Sequence, residues 1–186
     1  MDDIVKQAMA KWPNVPHCYG WLGLDARGDW YLRDVAAQAL GAFASGVPGA
    51  KGTRLQHAKL MEFIHRNYEV DAQGQWHFQN GPQRVFVELE VAPWIWRLDD
   101  QLHVTSHTGA PAKDVREVLV DERGRVFLAT EWGLGLVHSQ DMHRMAGAVE
   151  QGRWKPREVQ SNTLGNSYGF VTSPQHLAQA SSADSA

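Results

Sequence analysis

Apolar and polar positions follow one pattern three times along this chain. Leu22 to Leu32, Tyr68 to Phe78 and Val118 to Leu128 all fit Φ-x-Φ-D-x-x-G-x-Φ-x-Φ, where Φ is apolar or aromatic. The aspartates are Asp25, Asp71 and Asp121, and the glycines Gly28, Gly74 and Gly124. An aspartate opening a type I turn can accept hydrogen bonds from its own turn, and a glycine three residues on accepts positive φ. The spacing therefore predicts three β-hairpins, each with a short loop and a bulge at the glycine. In this register Leu24 faces Trp30, Leu22 faces Leu32, Val70 faces Trp76, and Tyr68 faces Phe78. Val120 faces Val126, and Val118 faces Leu128. Each set of apolar side chains falls on one face, as a half-buried hairpin requires. The third copy also carries Leu119, Phe127 and Ala129 on its other face and reads as central. The first two place Arg33, Glu69 and His77 outward and read as peripheral.

Around the hairpins, helical periodicity marks four segments. Asp2 or Asp3 caps a helix with Ile4, Val5, Ala8 and Met9, which stops before Pro13 and Pro16. Residues 35–45 form a second. Thr53 caps a third, with Leu55, Ala58, Met61 and Ile64. Ser139 caps a fourth, whose stripe is Met142, Met145, Ala146 and Val149, closed by Gly152. Strand alternation runs through 84–91, and further strands are expected at 94–96, 102–104 and 133–137. The fold class is α+β, with mostly antiparallel sheets, a few packed helices and two small subdomains. No βαβ alternation is visible, so parallel pairing is not expected. Gly81-Pro82 divides residues 1–80, a hairpin-helix-hairpin unit, from residues 81–172, a sheet with one helix. Residues 173–186, rich in Ala, Ser and Gln, are expected to be disordered.

Composition narrows the function classes. The 186 residues carry a formal net charge of −3 with no basic run longer than two, which argues against a nucleic-acid or anionic-membrane partner. An acidic N-terminus, no long apolar span and a single cysteine, Cys18, make the cytoplasm the expected compartment. One cysteine allows neither an internal disulfide nor a multi-thiolate metal site.

Four motifs are similar to those of a proteobacterial family known only as a domain of unknown function. They are Gly28-Asp29-Trp30-Tyr31, Gly81-Pro82-Gln83-Arg84-Val85, Ala92-Pro93-Trp94, and Glu131-Trp132-Gly133-Leu134-Gly135-Leu136. The pattern also resembles, more distantly, a second uncharacterised family of two-subdomain α+β proteins with a suggested signalling or ligand-binding role. Neither resemblance implies a catalytic residue.

Three readings of function follow. The leading one is a non-enzymatic module that binds a small molecule or a protein, as a homodimer, with no cofactor. It rests on the eight tryptophans, which suit both core filling and aromatic binding surfaces. Its candidate contacts are Trp94, Trp96, Glu131 and Trp132, where Gly133 and Gly135 permit close approach. The second reading is a metal-dependent hydrolase using His103, His107 and His138, since histidines four apart on a strand share a face. The third is a structural or assembly factor. The Asp-Gly loops lack the further oxygen ligands of a calcium site. Gly133-x-Gly135 lacks the third glycine and helix of a dinucleotide fingerprint.

Overall fold

The computed structural model describes residues 2–183. The chain forms two compact units. The first holds residues up to Asp25, Asp29–Glu90 and the chain from Phe170 on; the second holds Ala26–Gly28 and Val91–Gly169. The first unit runs α1 (Asp3–Lys11), β1 (Cys18–Leu24), β2 (Trp30–Leu32), α2 (Val35–Ala39), β3 (Thr53–Arg54), α3 (Ala58–Arg66), β4 (Tyr68–Val70), β5 (Trp76–Asn80) and β6 (Gln83–Leu89). The second runs β7 (Trp94–Leu98), β8 (Val104–Ser106), β9 (Pro111–Ala112), β10 (Val115–Asp121), β11 (Val126–Thr130), β12 (Gly133–Val137), α4 (Met142–Glu150), β13 (Arg157–Val159) and α5 (Leu164–Tyr168). The last helix, α6 (Pro174–Ala183), returns to the first unit.

All three hairpins form in the expected register. Leu22 pairs with Leu32 and Leu24 with Trp30. Tyr68 pairs with Phe78 and Val70 with Trp76. Val118 pairs with Leu128 and Val120 with Val126. The aspartates act as the turn chemistry requires: Asp121 Oδ1 accepts from the N–H groups of Arg123 and Arg125 at 3.0 and 2.9 Å. Asp71 Oδ1 does the same for Gln73 and Gln75. The third hairpin is buried on both faces, with Leu119, Phe127 and Leu128 all solvent-excluded.

The sheets depart from an antiparallel plan in one respect. Sheet 1 is ordered β3-β2-β1-β6-β5-β4 and sheet 2 β13-β10-β11-β12-β7-β8-β9. Both are mixed, because β1 with β6, β10 with β13 and β12 with β7 pair in parallel. No single helix crosses over between the partners β12 and β7; hairpin strands intervene, and such crossovers leave no βαβ alternation to read.

Other expectations change as well. Strand β6 joins sheet 1 between β1 and β5, so the first unit continues to Glu90 rather than ending at residue 80. Thr53 lies in β3, and α3 is capped instead by His57, whose Nδ1 accepts from the N–H of Leu60 at 3.2 Å. Helix α2 spans only Val35–Ala39, capped by Asp34 on the N–H of Ala37. A 3-10 turn, Ser139–Asp141, precedes α4 and is capped by His138. Helix α6 occupies the segment expected to be disordered, while 184–186 lie outside the described residues. It starts where Glu88 accepts from the Ser173 hydroxyl and the N–H of Gln175.

Two side chains expected outside are inside. His77 is buried on sheet 1. Arg33 is buried too, and its guanidinium donates to the carbonyls of Ala50, Gly20 and Gly41 at 2.8, 3.3 and 2.6 Å. A fully charged group can sit there because three segments supply acceptors to its fork of donors. Among the described residues, no helix is long and apolar enough to cross a membrane.

Candidate functional site

The tryptophans named as contacts are mostly interior. Trp94 and Trp96 are 6% and 0% exposed. Trp94 donates its indole N–H to the carbonyl of Trp132, and Trp96 donates to that of Leu128. Their rings stack at 5.8 Å, and they fill the space that Gly133 and Gly135 leave open. The close approach expected there is therefore made by the chain's own strand β7. Trp132 remains 47% exposed, with its indole N–H on the carbonyl of Pro111. Glu131 accepts from the N–H groups of Lys113 and Asp114 at 2.7 and 3.1 Å, and these bonds hold its carboxyl below the usual range.

Each of the three histidines has a local role. His103 Nδ1 lies 2.9 Å from Asp99 Oδ2. His107 Nδ1 accepts from the N–H of Ile95. His138 Nδ1 accepts from the N–H of Gln140. Among the described residues, no three His, Cys, Asp or Glu side chains come together as a possible metal site. The geometry thus gives the hydrolase reading no ligand set.

A different place in the second unit has the shape and charge of a binding site. Helix α4 is followed by Gly152, whose φ of +69° favours a residue without a β-carbon. The chain reverses there: the N–H groups of Arg153 and Trp154 both return to the carbonyl of Ala148. It then enters β13, the edge strand of sheet 2, which pairs in parallel with the C-terminal half of β10. Between this return and β10 lies a cleft of about 430 Å³, lined by Arg116, Arg153, Trp154, Lys155 and Arg157 over Val115 and Val118.

Charge in the cleft is unevenly partnered. Arg157 donates to Glu117 at 2.7 Å and holds that carboxyl below its usual range. Arg116 donates to Asp114 at 3.1 Å. The side chains of Arg153 and Lys155 have no ion pair or hydrogen bond among the described residues. Four cations, with a single carboxylate lining the cleft, create positive potential in a protein whose net charge is −3. Trp154, half-buried, contributes a flat apolar surface to the lining.

A family model described as "Protein of unknown function (DUF2946)" matches residues 1–175. The chain belongs to this family, DUF2944. A solved structure of a DUF1285 family protein from Shewanella baltica OS155 is 17% identical, covering 68% of this chain and 91% of its own, with a TM-score of 0.45. A DUF1285 family protein from Silicibacter pomeroyi DSS-3 is 13% identical, covering 78% and 83%, with a TM-score of 0.48. No curated protein matches.

In this DUF2944 member the cleft residues escaped the pattern of periodicity, because they sit on a helix exit and an edge strand. One signal was present. Arg153-Trp154-Lys155-Pro156-Arg157 places three cations and an aromatic in five residues, directly after a helix-stopping glycine.

Proposed function

We propose that the protein is a non-enzymatic binding module and that its ligand is a small phosphate-bearing molecule with a flat ring, of mononucleotide size. The observation that carries this is the cleft itself, where the unpartnered Arg153 and Lys155 line the wall together with Trp154. Its volume lies in the range of small-molecule sites, about 300–1,000 Å³. Arginine and lysine match phosphate oxygens, and a guanidinium or indole face accepts a stacked ring. The lining is cationic and aromatic with one carboxylate, Glu117, already engaged by Arg157, so the arrangement suits binding better than proton transfer. The Trp132 loop, with its indole N–H already engaged, supports a small-ligand role less well. A protein partner or a second copy of the chain would instead cover an exposed sheet edge such as β13 or β9.

Isothermal titration with AMP and with inorganic phosphate tests the reading. AMP should bind more tightly than phosphate, and the affinity should fall with added salt. The double variant Arg153→Ser/Lys155→Ser should weaken AMP at least tenfold, and Trp154→Leu should erase the preference of AMP over phosphate. Failure of AMP to bind the wild-type chain, or equal binding to the double variant, refutes the cleft as the site.

A further inference from the structure

The first unit carries a second cavity, of about 300 Å³, that the phosphate reading does not use. Helix α1 ends at Lys11, and Pro13 prevents its continuation, so Met9, Trp12 and Pro13 form one wall. The other wall comes from the β5–β6 hairpin, through Gln79, Pro82 and Arg84. Gln79 and Arg84 are register partners and so present their side chains on the same sheet face.

Three observations in this cavity point to a ligand. Gln79 is 1% exposed, yet its Oε1 has no hydrogen-bond partner. The amide orientation is set by its other end, since Nε2 donates to the carbonyl of Gly81 at 2.9 Å. A buried acceptor left this way is costly, and natural proteins rarely leave one without a donor. Next, Arg84 makes no ion pair and no hydrogen bond among the described residues. Finally, Trp12 is 51% exposed at the rim, beside Pro13 and Met9.

We infer that this cavity binds a free apolar or aromatic amino acid. Its carboxylate meets Arg84, its ammonium donates to Gln79 Oε1, and its side chain lies against Trp12, Met9, Pro13 and Pro82. The three requirements are one anion, one donor and one apolar body, and a free amino acid carries all three within the volume present. His77, two residues from Gln79 on the same face, packs its ring 5.5 Å from Phe86. Burial lowers its pKa, with Arg84 adding to the effect, so it stays neutral and does not compete with the ammonium by repulsion. A water molecule could satisfy Gln79 alone, but it would leave the cation and the apolar wall unexplained.

The test uses the full chain and L-leucine, L-phenylalanine and L-tryptophan, each beside its C-terminal amide. At least one free acid should bind by isothermal titration and raise the melting temperature, and its amide should bind at least tenfold more weakly. Arg84→Gln should weaken the acid at least tenfold and reduce its advantage over the amide. Trp12→Ala should weaken the acid and the amide alike. Gln79→Met keeps the volume and removes the acceptor; the other two changes lie at less buried positions, so the result stands even if this variant folds poorly. Arg153→Ser/Lys155→Ser should leave amino-acid binding unchanged, which separates this site from the phosphate cleft. No binding by any of the three acids, or binding untouched by both Arg84→Gln and Trp12→Ala, would overturn the inference.

Discussion

Trp96 on β7 donates its indole N–H to the carbonyl of Leu128 on β11 at 3.0 Å, across the intervening strand β12 at Gly135. Leu128 and Trp94 are both register partners of Gly135, one on each side. A β-carbon at Gly135 would stand 2.6 Å from Trp94 Cβ and 2.7 Å from the Trp94 carbonyl oxygen.

Gly135→Ala should therefore destabilise the protein by about 1–3 kcal/mol, the usual cost of overpacking a filled core. For a chain of this length, each kcal/mol lowers the melting temperature by about 2–4 °C. Adding Trp96→Phe should not restore the loss, because the Trp94 backbone remains in place. Thermal melts of the single and double variants check both statements. A neutral Gly135→Ala would show that β7 and β12 can separate freely, contrary to the packing described.

The hairpin aspartates should differ in weight although they share one pattern. Asp121 has a fully buried carboxylate that also accepts from Arg125 Nε at 2.7 Å. Asp71 accepts from the same two backbone positions in a more open turn. Asp71→Ala should cost about 1 kcal/mol, and Asp121→Ala about 2 kcal/mol or more, as for a lost hydrogen bond to a charged group. Asparagine at either position should recover part of the loss, since its Oδ1 can still accept from the turn. Urea midpoints of the four variants measure the difference, and equal costs for the two alanine variants would contradict it.

These aspartates also show what could be read without a structure. A hairpin is local, so Asp25, Asp71 and Asp121, with their glycines, determine both turn and register. Parallel pairing is not local. Nothing near Cys18–Leu24 announces that β6, some sixty residues on, will lie beside it. Arg33 shows the second limit: alternation assigned it to the outer face, but the loop residues Gly41 and Ala50, with Gly20 of strand β1, supply carbonyls that bury it. Trp94 and Trp96 show a third limit: both were candidate contacts and both are buried, because a pattern cannot tell a tryptophan that fills a core from one that lines a cleft. Only the geometry of Gly135 decides that. The basic cleft needed a helix exit and an edge strand brought together, which no periodicity records.

Asp141 should make stability fall in acid. Its carboxylate is fully buried and accepts from Arg97 Nε at 2.6 Å, Arg144 Nη1 at 3.0 Å and the N–H of Leu98 at 3.1 Å. Burial pushes its pKa up, but the bonds to Arg97 and Leu98 and the charges of Arg97 and Arg144 outweigh it, so the folded value lies below the ordinary 3.8. A depressed folded pKa means that the ionised form stabilises the fold. That contribution is complete above about pH 4, the unfolded carboxyl's range, and disappears as pH falls through the lower folded value. Asp141→Asn should lose about 2 kcal/mol at pH 7, less than the 3–5 kcal/mol of a fully buried pair because Arg97 is 47% exposed. Below pH 4 the gap between variant and wild type should narrow as the unfolded carboxyl takes up its proton, and it should close once pH falls through the lower folded value and the folded group loses its charge. Melting temperatures from pH 2.5 to 7 test this, and a constant gap between the two proteins across that range would rule out Asp141 as the source.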